Sequence, residues 1–258
     1  MKTFYKTVYT LLGFLLPLAT LAGTVDGHDI KITVKGYKPG TTCILGGYHG
    51  DKQYIKDSAK VGPNGEVIFK GTDKYPAGVY LLIPDTKKYF DLVMDDNQHF
   101  TLETDTTDYI LHMKVKGSEE NSFFFGYQKF ITTQQKMVEP LRNQLKKTKD
   151  KDSTKIITDK IIKIDEDVKN YKKDFIKKNP TSFIAKLFTA MEDPVIPDAP
   201  TLPDGKKDSL FPYHYYKAHF FDNIDFNDER LLRSPVFHPK VKQYMDKMTV
   251  QIPDSLNV

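Results

Sequence analysis

The feature that most constrains this chain is a change in hydrophobic period near Gly117. Before it, apolar residues alternate in short runs closed by turn residues; after it, they recur every three or four positions. A period of two suits a half-buried strand, and a period near 3.6 suits a helix. In the first regime, residues 27–116, His28–Lys35 places Ile30, Ile32 and Val34 on one face. Further strands are predicted over 41–46, 53–61, 66–70, 79–83, 89–94, 99–103 and 110–116. Between them lie Pro-Asn-Gly at 63–65, Pro-Ala-Gly at 76–78 and Asp-Asp-Asn at 95–97, which are turn chemistry. About eight closely spaced strands imply an antiparallel β-sandwich or a partly open barrel. The fold class expected is therefore α+β, with a β-domain at 27–116 and a helical domain at 118–258.

The helical regime opens with Ser118 before Glu119 and Glu120, a cap followed by first-turn acids. Tyr127, Ile131, Gln134, Val138, Leu141 and Leu145 follow a 4-3 spacing, and Ile157, Ile161, Ile164, Val168, Tyr171 and Phe175 repeat it after a polar turn. Two such seams joined by a short turn predict a long antiparallel αα-hairpin over 118–178, either a partner-binding arm or a structural spacer. Pro140 is expected to kink the first arm or start a new helix. After a short helix at 181–191, Pro194, Pro197, Pro200 and Pro203 repeat every three residues across 192–205. That period suits an extended polyproline II segment, read as a Pro-rich ligand or as a strap laid on the surface through Val195, Ile196 and Leu202.

The C-terminal helices are placed at 209–249. They begin with SLFPYHYYKAHFFDNIDF, where aromatic rings are dense enough to form either a core or a stacking platform. Tyr213, Tyr215, Tyr216 and Phe220 are the candidate ligand-binding residues, with Tyr213, Tyr216 and Phe220 on one face of a helix over 213–221. A final helix is expected from Lys240.

The first 22 residues read as a secretory signal peptide. Lys2 and Lys6 precede an apolar stretch from Val8 to Leu21 broken by Pro17, and Thr20-Leu21-Ala22 offers a cleavage site. The stretch is shorter than the roughly 20 apolar residues of a membrane span, and no later segment reads as one. With Gly23 and Thr24 rather than cysteine next, a periplasmic product without a lipid anchor is expected. Removing Lys2 and Lys6 lowers the formal charge from +4 to about +2, which argues against a nucleic-acid protein.

Catalytic chemistry has few handholds here. Cys43 is the single cysteine, so there is no disulfide framework and no C-x-x-C pair for dithiol exchange. It reads as a buried strand residue or as a reactive thiol. His214 and His219 are five apart, on different sides of a helix. Asp222, Asp225, Asp228 and Glu229 could hold a hard cation but lack the calcium-loop pattern. Neither G-x-S-x-G nor a phosphate-binding glycine loop occurs. No catalytic residue, metal or cofactor is expected.

Two stretches carry a family resemblance. The first is YHGDKQYIKDSAKVGPNGEVIFKG with AGVYLLIPDTKKYFDLVMDDNQHFTLETD; its marks are DSAKV, an Asn-Gly turn, Val67-Ile68-Phe69-Lys70-Gly71 and G-x-Y-L. It resembles the N-terminal β-domain of exported thioredoxin-like (TlpA/ResA-like) thiol–disulfide oxidoreductases of Bacteroidetes-type bacteria. The second is KAHFFDNIDFNDERLLRSPVFHPKVKQYMDKMTVQIPDS, in which Phe221 to Lys240 resemble a recurring string of the helical domain of unknown function that follows in those proteins. The resemblance implies a C-terminal thioredoxin domain with C-x-x-C, which these residues lack, so no family catalytic residue transfers. The expectation is a non-catalytic envelope module, with a thioredoxin-fold domain or another envelope protein as partner. The alternatives are a stand-alone peptide- or glycan-binding protein using residues 211–221, and an enzyme with an unrecognised carboxylate site. The residues leave the oligomeric state open.

Overall fold

The computed structural model describes residues 27–84 and 88–249, and the signal peptide read at 1–22 lies outside them. Eight strands come first: β1 His28–Lys35, β2 Thr42–His49, β3 Lys52–Lys60, β4 Glu66–Gly71, β5 Gly78–Ile83, β6 Phe90–Met94, β7 His99–Asp105 and β8 Lys114–Lys116. They form two four-stranded sheets, ordered β4-β1-β7-β8 and β3-β2-β5-β6. Ile30, Ile32, Phe69 and Leu102 from the first sheet meet Cys43, Leu45, Leu82 and Leu92 from the second in one core. The sheets thus face each other as a sandwich rather than closing into a barrel. One pair departs from the antiparallel pattern: β1 and β7 are parallel, with Ile30 opposite Phe100 and Ile32 opposite Leu102. Parallel neighbours need a long connection, and here the chain builds the whole second sheet before returning.

The strand predicted over 110–116 forms only from Lys114. Asp108 intervenes, its Oδ1 accepting the amides of Ile110 at 3.1 Å and Leu111 at 2.9 Å, and a turn takes the place of the ladder.

Six helices follow: α1 Glu119–Lys147, α2 Lys151–Lys178, α3 Phe183–Met191, α4 Phe211–Ala218, α5 Glu229–Leu232 and α6 Phe237–Met248. Ser118 caps α1 by accepting from the Asn121 amide. Asn121, fully buried one turn in, protects a sheet edge. Its carboxamide accepts from Val93 N at 2.8 Å and donates to Val93 O at 2.7 Å, so it stands where the next strand's backbone would stand beside β6. α1 and α2 form the antiparallel hairpin, joined by residues 148–150. The seam residues of α2, Ile157, Ile161, Ile164, Val168, Tyr171 and Phe175, are each half-buried and none is fully buried. Pro140 starts no new helix. It sits exposed inside a continuous α1, where the Lys136 carbonyl it leaves without an amide partner can be hydrated.

The second sheet carries the load between layers. Its inner face belongs to the sandwich core. On its outer face Val79 and Val93 join Phe183, Ile184, Leu187, Phe188, Ile224 and Leu231 in a second core. β5 is therefore buried along its first five residues, which is why GVYLLI shows no polar alternation.

Asp91 lies on the same outer face as Val93. Its Oδ1 is buried and has no hydrogen-bond partner, and burial pushes the carboxyl up to about 6. The Tyr48 phenol is raised to about 12, first by burial and then by the Asp91 charge. A folded carboxyl that holds its proton more tightly than the unfolded one costs stability as pH rises from about 4 to about 6, and the loss stays constant above that. Asp91→Asn removes the loss. Its urea midpoint at neutral pH should correspond to a gain on the order of 2 kcal/mol, vanishing near pH 4; a gain that persists at pH 4 would refute the assignment.

A second test concerns the seat of the helical layer on β5. A Cβ at Gly78 would stand 2.6 Å from Arg233 Cβ and 2.7 Å from Arg233 O. Gly78→Ala should lower stability by about 2–4 kcal/mol in urea unfolding, as overpacking against backbone does.

Candidate functional site

The segment from α3 to α6 holds the predicted site residues, and its framework is polar as well as apolar. α3 is buried on nearly every side, and its N-terminus is held twice. Ser182 accepts from Ala185 N, while Glu120 of α1 accepts from Phe183 N at 2.7 Å and Ile184 N at 3.1 Å. A carboxylate at a helix N-terminus meets free amides and the positive end of the dipole. Burial nevertheless raises the Glu120 carboxyl, outweighing the two amides.

The C-terminus of α3 is closed by Lys240. Its ammonium, nearly buried, donates to Ala190 O at 3.0 Å and Glu192 O at 2.7 Å and lies 5.3 Å from the centre of the Phe220 ring. Last-turn carbonyls are a favourable place for a cation. Burial lowers the Lys240 ammonium from its usual value, against the pull of Asp193 and Glu192. Asn223 also donates to Glu192 O, at 3.1 Å.

The four aromatic candidates do not share one face. Phe220 is 1% exposed and lies beyond the end of α4. Its ring packs against Tyr216, Phe221 and Tyr244 at centroid distances of 5.5, 5.0 and 5.5 Å. It is a core ring here and is not presented to a ligand. Tyr216 is half-buried, its hydroxyl donating to Asp193 Oδ1 at 2.9 Å. Tyr215 stacks on His219 at 4.0 Å, and Tyr213 is 50% exposed. The single helix expected over 213–221 runs instead from Phe211 to Ala218; Pro212 occupies its first turn and a turn at 219–223 redirects the chain. That redirection separates Phe220 from Tyr213.

Exposed apolar side chains concentrate around this framework. Of fourteen large exposed hydrophobics among the described residues, seven fall between residues 191 and 226: Met191, Val195, Ile196, Leu202, Leu210, Tyr213 and Phe226. The strap reading gains little from this, because Val195 is 88% exposed. The segment is instead tied down at its start, through Glu192 and Asp193. At its far end Phe226, 65% exposed, leans on Phe221 and Phe237 at 5.9 and 6.0 Å. These exposed apolar side chains follow one another along the chain from α3 to the turn before α5.

The acids at 222–229 each find a separate partner. Asp222 pairs with His219 at 2.6 Å, Asp225 with Lys186 at 2.7 Å and Glu229 with Arg233 at 3.4 Å. Asp228 makes a two-pronged contact with Arg230, at 2.7 and 2.5 Å. They do not converge, and among the described residues no group of three or more His, Cys, Asp or Glu is placed to hold a metal. Cys43 is fully buried in the sandwich core, away from solvent.

Arg233 and Leu232 fasten this layer to the β-domain. Arg233 Nε donates to Ala77 O at 2.7 Å, Arg233 O accepts from Val79 N at 2.8 Å, and Leu232 O accepts from Gly50 N at 3.0 Å. Ser234 is wholly buried and donates to Leu231 O. The guanidinium of Arg230 covers the Phe183 ring at 4.9 Å. Sequence reasoning missed Glu120, Asn121 and Lys240 as framework residues. The only sequence signal was a polar residue at an otherwise apolar position, and a partner far along the chain cannot be read from that.

Residues 28–124 match the family described as a domain of unknown function (DUF4369). The match spans all eight strands and the first turn of α1, so it includes Glu120 and Asn121, which tie the sandwich to the helices. No curated protein and no solved structure matches the chain.

The framework and the exposed rings should separate on mutation. Phe220→Ala is expected to cost about 3–5 kcal/mol, and Tyr213→Ala less than about 0.5 kcal/mol. Lys240→Met, which removes the donor to Ala190 O and leaves Glu192 O to Asn223, should fall between them. Urea midpoints test the order; a large loss at Tyr213 would place that ring in the core.

Proposed function

We propose that this chain is a non-catalytic module of the cell envelope, the N-terminal part of a thioredoxin-like thiol–disulfide oxidoreductase, which works in the periplasm by holding a partner. The observation that carries this reading is the concentration of exposed apolar side chains at 191–226, on a base fixed by Lys240, Tyr216 and Phe220. Three further points support it. The N-terminal sequence has the form of an export signal. Residues 28–124 match a domain of unknown function, and their sequence resembles the β-domain that stands first in those proteins. The string at Phe221–Lys240 resembles their helical domain. The partner that the resemblance suggests is a thioredoxin-fold domain.

A second reading, binding of a peptide or glycan by residues 211–221, draws on the half-exposed Tyr213 and the Tyr215–His219 stack. Aromatic rings at a surface offer a face to either ligand.

Calorimetric titration with a thioredoxin-fold domain of the resembled family tests the proposal. Binding is expected, and Tyr213→Ala combined with Phe226→Ala should weaken it at least about tenfold without moving the melting temperature. The chain should not reduce insulin, and Cys43→Ser should change neither result. Absence of binding, or turnover that survives Cys43→Ser, would overturn the reading; binding of an oligosaccharide or peptide alone, lost on Tyr213→Ala, would replace it with the second.

A further inference from the structure

The hairpin of α1 and α2 ends in a concentration of positive charge. Arg142, Lys146, Lys147, Lys149, Lys151 and Lys155 fall within about 9 Å of helix on either side of the turn at 148–150. All six are exposed, and among the described residues none makes an ion pair within the chain. The acids in the same stretch are Asp150 and Asp152. Residues 142–155 therefore carry a net charge of +4, equal to the formal charge of the entire chain, and everything else sums to zero. The excess sits at the end of the two longest helices. The ion pair nearest to it that reaches the sandwich is Lys136–Asp108, and the end of α1 stands roughly 16 Å beyond that point.

Helix stability accounts for only part of this pattern. Lys146 and Lys147 lie in the last turn of α1, where the negative end of the dipole favours cations. Lys149 and Lys151 are placed the other way. They flank Asp150, the N-cap of α2, at the positive end of that helix's dipole, where a cation is disfavoured. Asp150 is committed to the cap, its carboxylate accepting from Ser153 N at 2.8 Å. Lys151 and Lys155, four residues apart in α2, also repel each other. Residues that break the local rules of helix stability point to a functional demand at that place.

The residue types narrow the partner. Five of the six cations are lysines, flexible point charges rather than the planar forks that grip a single phosphate from two sides. No aromatic residue occurs between Phe130 and Tyr171, so the tip has no platform on which bases could stack. A crown of lysines suits an extended anionic surface whose charge is averaged over many groups and imposes no register. We propose that the hairpin tip docks on the headgroup surface of a bilayer containing anionic phospholipid. Clusters of four to eight Lys or Arg beside a membrane bind in this way. Ile156, 56% exposed next to Lys155, adds an apolar side chain at the same end. The contact is peripheral: among the described residues no helix is long and apolar enough to cross a membrane. The surface lies apart from the apolar segment at 191–226 and does not depend on what that segment holds.

Flotation of the full mature chain with lipid vesicles tests this. Vesicles of phosphatidylcholine with about one third phosphatidylglycerol should carry the protein at about 50 mM salt and release it at about 500 mM. Vesicles of phosphatidylcholine alone should not carry it. Lys146→Gln, Lys147→Gln, Lys149→Gln and Lys151→Gln together should lower the partition coefficient at least about a hundredfold, and the same four changed to Arg should leave it within about threefold. Melting temperatures should match wild type, since every changed side chain is exposed. The chain has no tryptophan, so Thr148→Trp reports on the tip alone, and its emission should shift to the blue on anionic vesicles. Failure to float with anionic vesicles at low salt, flotation that survives the four Gln changes, or an unshifted Trp emission would overturn the proposal. So would equally tight binding of duplex DNA or polyglutamate, which would make the tip a general polyanion site. Release from vesicles by about 10 mM inorganic phosphate at constant ionic strength would overturn it in favour of a free-phosphate site.

Discussion

The structure depends on one sheet, β3-β2-β5-β6, being buried on both faces at its β5 and β6 strands. A sheet that is wet on one side can be peeled from its neighbours one contact at a time. Here Leu82 and Leu92 are held in the sandwich core, while Val79 and Val93 are held in the helical core through the same two strands. Loss of either layer exposes apolar surface that the other cannot cover, so sandwich and helices stabilise each other. The β6 edge is closed in the same spirit by Asn121, whose amide completes a ladder that would otherwise end in open backbone groups.

The string from Phe221 to Lys240, the part of the sequence with the most specific resemblance, turns out to be where the layers are fastened. Its acids and bases pair locally, with Asp228 on Arg230 and Glu229 on Arg233. Its backbone and arginine bond to Gly50, Ala77 and Val79 of the sandwich. Its last residue, Lys240, holds the end of α3. Several of its charged residues therefore have structural duties, and the acidic run that invites a cation-binding reading is consumed by ion pairs and helix caps. The exposed apolar side chains lie mostly upstream of the string, on the part of the chain that it leaves free.

Strands and seams were legible because they are local. Seven of the eight strand spans were readable to within a few residues from alternation and turn residues, and each α2 residue of the 4-3 series lies half-buried along the hairpin. What stayed hidden depends on partners distant in sequence. Nothing in ITVK or FTLE says that β1 and β7 run parallel, because faces are set by alternation whereas neighbours are set by how the chain crosses between sheets. Glu120 looks like a first-turn helix acid, and its bond to a second helix 63 residues later has no local trace. Aromatic density in 211–221 marked a segment that is core at Phe220 and surface at Tyr213. Periodicity alone put Tyr213 and Phe220 on one face, because it could not register that α4 ends at Ala218.

The double burial also limits which parts of the chain stay exposed. Outer positions of β5 and β6 are spent on the helical layer, and α3 is enclosed on almost every side. Chain that could change its surface without disturbing a core is then restricted to what projects from the three layers: the distal hairpin and the segment between α3 and α5. The distal hairpin keeps Ile131, Ile164 and Val168 half-buried beside exposed Glu139, Arg142 and Asp165. The 191–226 segment offers scattered rings on an irregular backbone, suited to a surface of different shape. Because each is anchored at its base by separate bonds, Lys136–Asp108 for the first and Lys240–Glu192 for the second, occupation of one surface need not strain the other.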